Sequence, residues 1–185
     1  MNQPLIPYHS RSQALIDHAY SFARDAHGDQ VRKYTGEPYI THPLAVAHIV
    51  ASVTDDCNMI CAAILHDVIE DTPKTSQDLM EAGFGHPVVN LVMWLTDVSQ
   101  PHDGNRAFRK TKDLNHTRKA TPDAKTIKLA DLIHNAVDIT QHDPNFARVF
   151  MREKALLLKV LEDGDEILFN RATDILISYQ QRNLL

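Results

Sequence analysis

A chain of 185 residues, 43% hydrophobic and 23% charged, has the length and composition of one globular domain with a substantial core. Six glycines and nine prolines exclude a collagenous or broadly disordered chain, and a formal net charge of −5 excludes a general basic field for nucleic acid or an anionic membrane. The N-terminus lacks the basic start and apolar run of a signal peptide, and no apolar stretch reaches transmembrane length, so the expected setting is the cytoplasm.

The apolar pattern is helical almost throughout. Ala14, Ile16, Ala19, Tyr20, Phe22, Ala23 and Ala26 predict a first amphipathic helix with Ser12 as its cap. The stretch GDQVRKYTGEPYITHP breaks that period with Gly28, Gly36, Pro38 and Pro43, and reads as a structured loop. A second helix follows Pro43, at a favourable first-turn position, through LAVAHIVASV. The third covers about residues 58–70; at its start Cys57 and Cys61, spaced i, i+4, read as small packed hydrophobes in a reducing compartment. SQDLMEAGF and HPVVNLVMWLTDV give two more, with Trp94 at core periodicity, and QPHDGN is a loop. Residues 106–119 form a polar, basic helix, followed by helices in DAKTIKLADLIHNAVDIT, NFARVFMREKALLLKVL and DEILFNRATDILISYQQ. No strand-period segment, repeat or linker interrupts this order. The expectation is an all-α, single-domain fold over residues 1–185, with its core at about 12–180.

The chemistry concentrates in ILHDVIEDT, residues 64–72, where His66, Asp67, Glu70 and Asp71 interrupt Ile64, Leu65, Val68 and Ile69. Buried charge is costly unless it is paired, hydrogen-bonded or bound to a metal. On a helix, His66–Glu70 and Asp67–Asp71 are i, i+4 pairs, which sets two potential ligands one turn from two potential proton-handling carboxylates. Imidazole with carboxylate suits a borderline divalent cation such as Mn, Fe or Zn, whereas the bland alternative is a charge cluster on an exposed turn. Two further stretches favour the cation. YITHP offers His42 just before a helix start, and IKLADLIHN sets Asp131 in a strongly apolar helix with Asn135 one turn on. Eleven histidines are also many for this length.

The order His42 … His66-Asp67 … Asp131 resembles the HD-domain metal-dependent phosphohydrolases. HGDQVRKYTGEPYITHP, ILHDVIEDT and IKLADLIHN are similar to the hydrolase domain of the RelA/SpoT homologues, and most of all to the stand-alone small alarmone hydrolases. The resemblance runs over about residues 12–180. It implies a helical HD fold that uses one divalent cation, usually Mn²⁺, to remove the 3′-pyrophosphate of ppGpp, pppGpp or their adenosine counterparts. It implies His42, His66, Asp67 and Asp131 as metal ligands, and Glu70 and Asp71 as the pair that positions and deprotonates the attacking water. Arg32 and Lys33 would hold the nucleotide near its base, Tyr39 would shape the loop, and Asn135 and Asp138 would face ribose or base. Leu132 stands where the family often has a basic residue, and Asp29 where many relatives have Gly, so the base stays open between guanine and adenine.

A small-molecule nucleotide of high negative charge needs local cations on an acidic protein. Arg32 and Lys33 lie on one loop, Lys128 precedes Asp131, and Arg106, Arg109 and Lys110 share a helix face at i, i+3, i+4, where a plain solvated face is the alternative. His18, His27 and His48 could support the site; His9, His86, His102, His116 and His142 show no ligand spacing. Other readings are a different HD phosphohydrolase, for example one acting on NADPH, and a silent alarmone-binding module. The intact ligand and Glu–Asp set argues against the second. The oligomeric state is open.

Overall fold

The structure is a computed structural model, and it describes residues 10–183; His9 lies outside them. Among the described residues there is no strand, only one antiparallel bridge between Val31 and Pro38. The all-α expectation holds. The contacts divide the chain into two compact units, one ending at Thr96 and the other starting at Asp97.

The first unit is built around α3 (Cys57–Leu65), which packs against α1 (Ser10–His27), α2 (Thr41–Ala51) and α6 (His86–Leu95). Met59 to Leu65 are all buried, because MICAAIL is apolar around its whole circumference and can be covered on every side. The short helices α4 (Val68–Asp71) and α5 (Ser76–Glu81) complete the unit. A capping box between Thr75 and Asp78 starts α5.

Three local expectations are corrected. The first helix begins at Ser10, so Ser12 lies inside it rather than capping it; its carbonyl instead accepts a contact from Cys57 Sγ at 3.6 Å. The second begins at Thr41, which places His42 and Pro43 in its first turn. Proline is tolerated there because a first-turn amide has no intrahelical partner. The third helix is not continuous over 58–70. It stops at Leu65, turns through His66 and Asp67, and restarts at Val68. His66 Nδ1 lies 2.7 Å from the Ala63 carbonyl, the acceptor that a continuing helix would offer to the Asp67 amide. Asp67 takes φ −93° and ψ −5°, away from helical values.

The second unit centres on α8 (Pro122–His142), packed on α9 (Pro144–Leu158) and α10 (Glu166–Asn183), with α7 (Arg106–Thr117) before it. Thr121, Asn105 and Asp143 accept from the first-turn amides of Ala124, Phe108 and Phe146 respectively. Gly164 lets the α9–α10 turn lie directly on α8: a Cβ there would meet Leu129 Cδ1 at 2.9 Å and the Thr126 amide at 3.1 Å. Lys125 and Asp163 close the same corner as an ion pair at 2.7 Å.

Candidate functional site

In the first unit, α2 supplies His42, the end of α3 supplies His66, and the turn between α3 and α4 supplies Asp67. His42 and His66 are 1% and 2% exposed. His66 Nε2 lies 3.2 Å from Asp67 Oδ1, and His42 Nε2 lies 3.5 Å from Asp67 Oδ2. One donor atom from each residue falls within 4.8 Å of the others, as a shared cation requires.

Two details show that these side chains suit a metal. A carbonyl only accepts, so His66 Nδ1 carries the proton and donates to Ala63, which leaves the Nε2 lone pair facing Asp67. Asp67 occupies the N-cap position of α4, where an Asp ordinarily accepts from the helix amides, yet its carboxylate makes no capping bond. It turns instead toward the two imidazoles and the Tyr39 hydroxyl.

That hydroxyl sits 2.8 Å from Asp67 Oδ2 and 2.8 Å from Asp71 Oδ2. Burial first, then the charges of Asp67 and Asp71, push the Tyr39 phenol well above its usual range, so it stays a donor. Burial and Asp67 likewise raise the Asp71 carboxyl, opposed by the Tyr39 bond and by His27 and His66. Glu70 lies on the same single turn, exposed to solvent. Gln30 donates to the Asp71 main-chain carbonyl at 2.7 Å, tying the loop before α2 to this turn.

The loop itself is clamped by Arg32 N–H to Glu37 O at 2.8 Å and Tyr39 N–H to Gln30 O at 2.8 Å. Gly36, at φ +73°, makes the turn between them. The Arg32 guanidinium stands 5.9 Å from the centre of the Tyr39 ring, while Lys33 reaches Tyr34.

Asp131, Asn135, Lys128, Asp138, Arg106 and Arg109 belong to the second unit. Asp131 is buried on α8 and accepts from Asn135 Nδ2 at 2.6 Å. Asp138 pairs with His142 at 3.0 Å. Arg106 makes a two-pronged bond to Glu153 at 2.8 Å on each prong, so its fork is engaged within its own unit; Arg109 is half-buried on α7. Burial would raise the Asp97 carboxyl, but Lys128, Lys110 and Lys154 outweigh it and hold it low. Lys154 is itself pushed down by burial and by Lys128 and Lys110, against the pull of Asp131 and Asp97. Lys110 binds Asp97 directly at 2.8 Å.

Sequence reasoning missed Lys154 and the bridging role of Tyr39. Lys154 carried a faint signal, a cation at the edge of the apolar run ALLL; the Tyr39 bonds carried none, because they join residues 28 and 32 positions apart. His18 is a packing residue: its Nε2–H donates to the Ala82 carbonyl at 2.8 Å and its ring stacks on Phe84. Cys57 and Cys61 are free thiols, 3.9 Å apart. No helix among the described residues is long and apolar enough to cross a membrane.

Comparison with known proteins places the chain in a family. The HD domain family matches residues 19–160. The bifunctional (p)ppGpp synthase/hydrolase SpoT of Escherichia coli K12 is 39% identical over 157 residues, 83% of this chain and 22% of that protein. The chain thus spans about a fifth of the length of such bacterial relatives. The guanosine-3′,5′-bis(diphosphate) 3′-pyrophosphohydrolase MESH1 of Danio rerio is 36% identical over 72% of this chain and 73% of its own. A solved structure described as a metazoan orthologue of SpoT that hydrolyses ppGpp superposes with a TM-score of 0.80 at 29% identity, over 97% of this chain and 99% of the other.

Proposed function

This chain belongs to the HD-domain family, in the group of the SpoT-type hydrolases, and from that premise we propose that it cuts the 3′-pyrophosphate from a purine nucleotide alarmone, (p)ppGpp or (p)ppApp. The products are pyrophosphate and the nucleoside 5′-di- or triphosphate. In this reading the chain is one hydrolase domain, working in the cytoplasm. The observation that carries it is the convergence of His42, His66 and Asp67, with Tyr39 linking Asp67 to Asp71.

His42, His66 and Asp67 would hold the divalent cation, Mn²⁺ in our reading, with Asp131 as the fourth ligand proposed. When bound, such an ion lowers the pKa of water and polarises a phosphoryl oxygen, supplying a nucleophile near neutral pH. The protein's own groups do the rest. Glu70 and Asp71 orient the attacking water and receive its proton. Tyr39 keeps Asp71 turned toward the ligands. Arg32 lays a planar cation where a purine can stack, Lys33 adds a point charge for phosphate, and Lys128 offsets charge beside Asp131. Asn135, Asp138, Arg106 and Arg109 are the second unit's candidates for ribose and phosphate contact.

The test incubates ppGpp, ppApp and NADPH separately with the protein and Mn²⁺ and identifies the products. Pyrophosphate with GDP or ADP supports the proposal. Orthophosphate from NADPH, with both alarmones intact, overturns it.

A further inference from the structure

We propose that His27 is a positioning residue for Asp71, acting on it through Gln30 and Tyr39. The inference rests on the reading of Asp71 as a proton-handling carboxylate. His27 ends α1 and is 3% exposed, yet it stands apart from the His42–His66–Asp67 cluster.

The hydrogen bonds fix its orientation. Gln30 Nε2 donates to the Asp71 main-chain carbonyl at 2.7 Å, which commits the amide nitrogen there. The other end of that amide, Oε1, faces His27 Nδ1 at 2.9 Å and can only accept. His27 Nδ1 therefore carries a proton, and in the neutral ring Nε2 is a lone pair. This is the same arrangement as in His66, where a carbonyl holds Nδ1–H and thereby fixes the ring. In His27, Nε2 is buried and has no hydrogen-bond partner among the described residues.

A second arm runs through the ring face. The imidazole rests on Tyr39 with centroids 4.6 Å apart and planes tilted by 34°, and the Tyr39 hydroxyl lies 2.8 Å from the Asp71 carboxylate. One buried ring therefore reaches a single residue twice, at its main chain through Gln30 and at its carboxylate through Tyr39. If His27 only filled space, a phenylalanine would pack against Tyr39 without burying an unpartnered nitrogen.

The test compares His27→Phe, which keeps the ring and breaks the Gln30 arm, with His27→Asn, which keeps a donor toward Gln30 and removes the ring. Gln30→Met, at an exposed position, breaks the same arm as His27→Phe without touching the core. The expected result for His27→Phe and Gln30→Met is a kcat reduced roughly tenfold, with KM for ppGpp and the Mn²⁺ dissociation constant within about twofold of wild type. The double variant should be no worse than either alone, because both changes remove one linkage. Histidine ¹⁵N NMR of the metal-free protein should show His27 protonated at Nδ1, and the Asp71 carboxyl ¹³C shift should move in Gln30→Met. Wild-type kcat in folded Gln30→Met, an Nε2-protonated His27, or an unmoved Asp71 signal each overturns the proposal. If the wild type cuts no alarmone, the functional reading fails by itself, while the two NMR readouts still decide the positioning.

Discussion

The imidazole of His66 donates from Nδ1 to the carbonyl of Ala63 at 2.7 Å, at the point where a helix ends, and this bond orients a candidate ligand. By competing for the carbonyl that the Asp67 amide would use, it helps turn the chain between α3 and α4. The same bond points Nε2 at Asp67, 3.2 Å away. Local backbone geometry and the geometry of the candidate site thus have a common cause.

Asp67→Ala removes the carboxylate that both histidines face and that no capping bond requires. Metal titration should show loss of bound Mn²⁺, activity should vanish even at saturating substrate, and the far-UV circular dichroism should stay helical. Stoichiometric metal with wild-type turnover in this variant would remove Asp67 from the site.

The helices and the candidate pair His66–Asp67 were legible because they depend on near neighbours. Apolar periodicity marked α1, α3, α6 and α8, and the HD pair stood out against Ile64, Leu65, Val68 and Ile69. The break at His66 was not legible, since periodicity cannot register a side chain that takes a main-chain acceptor. The Tyr39 bonds to Asp67 and Asp71 were hidden for another reason: a loop tyrosine shows its hydroxyl partners only after the loop is clamped. Arg106 shows the same limit. Its helix-face spacing marked a cation but not its partner Glu153, 47 residues on, which meets both prongs of its fork.

Glu70→Gln tests the division of labour on α4. The amide keeps size and polarity but cannot take a proton, so kcat should fall by roughly 10²–10⁴ with metal binding retained. Glu70 lies at the exposed end of that turn, so the fold should tolerate the change. A near-normal kcat would leave Asp71 to act alone.

In the second unit, Asp97 offers a stability test independent of any metal. Its carboxyl is held below the ordinary range because Lys128, Lys110 and Lys154 outweigh burial. A depressed folded-state pKa stabilises the fold above the unfolded value, about 4, and that contribution is lost as pH falls through the folded value. Asp97→Asn also weakens the bond to Lys110. Urea unfolding should show a loss of about 1.5–3 kcal/mol at pH 7 that shrinks as the pH is lowered below about 4. A loss that is equal at both pH values would mean that packing, not charge, is what the substitution removed.

Arg32 sits beside the tyrosine that reaches two carboxylates. Its loop is closed by the Val31–Pro38 bridge and turned by Gly36, so the guanidinium is presented from a restrained backbone. It stands 5.9 Å over the ring of Tyr39, whose hydroxyl reaches Asp67 and Asp71. If its main task is to stack on the purine, Arg32→Ala should raise KM roughly tenfold with little change in kcat. Arg32→Lys should recover only part of that loss, because it restores the charge but not the plane. The opposite split is equally informative. A fall in kcat at constant KM would show that Arg32 serves the reaction through the Tyr39 ring, and steady-state kinetics on the two variants separates these roles.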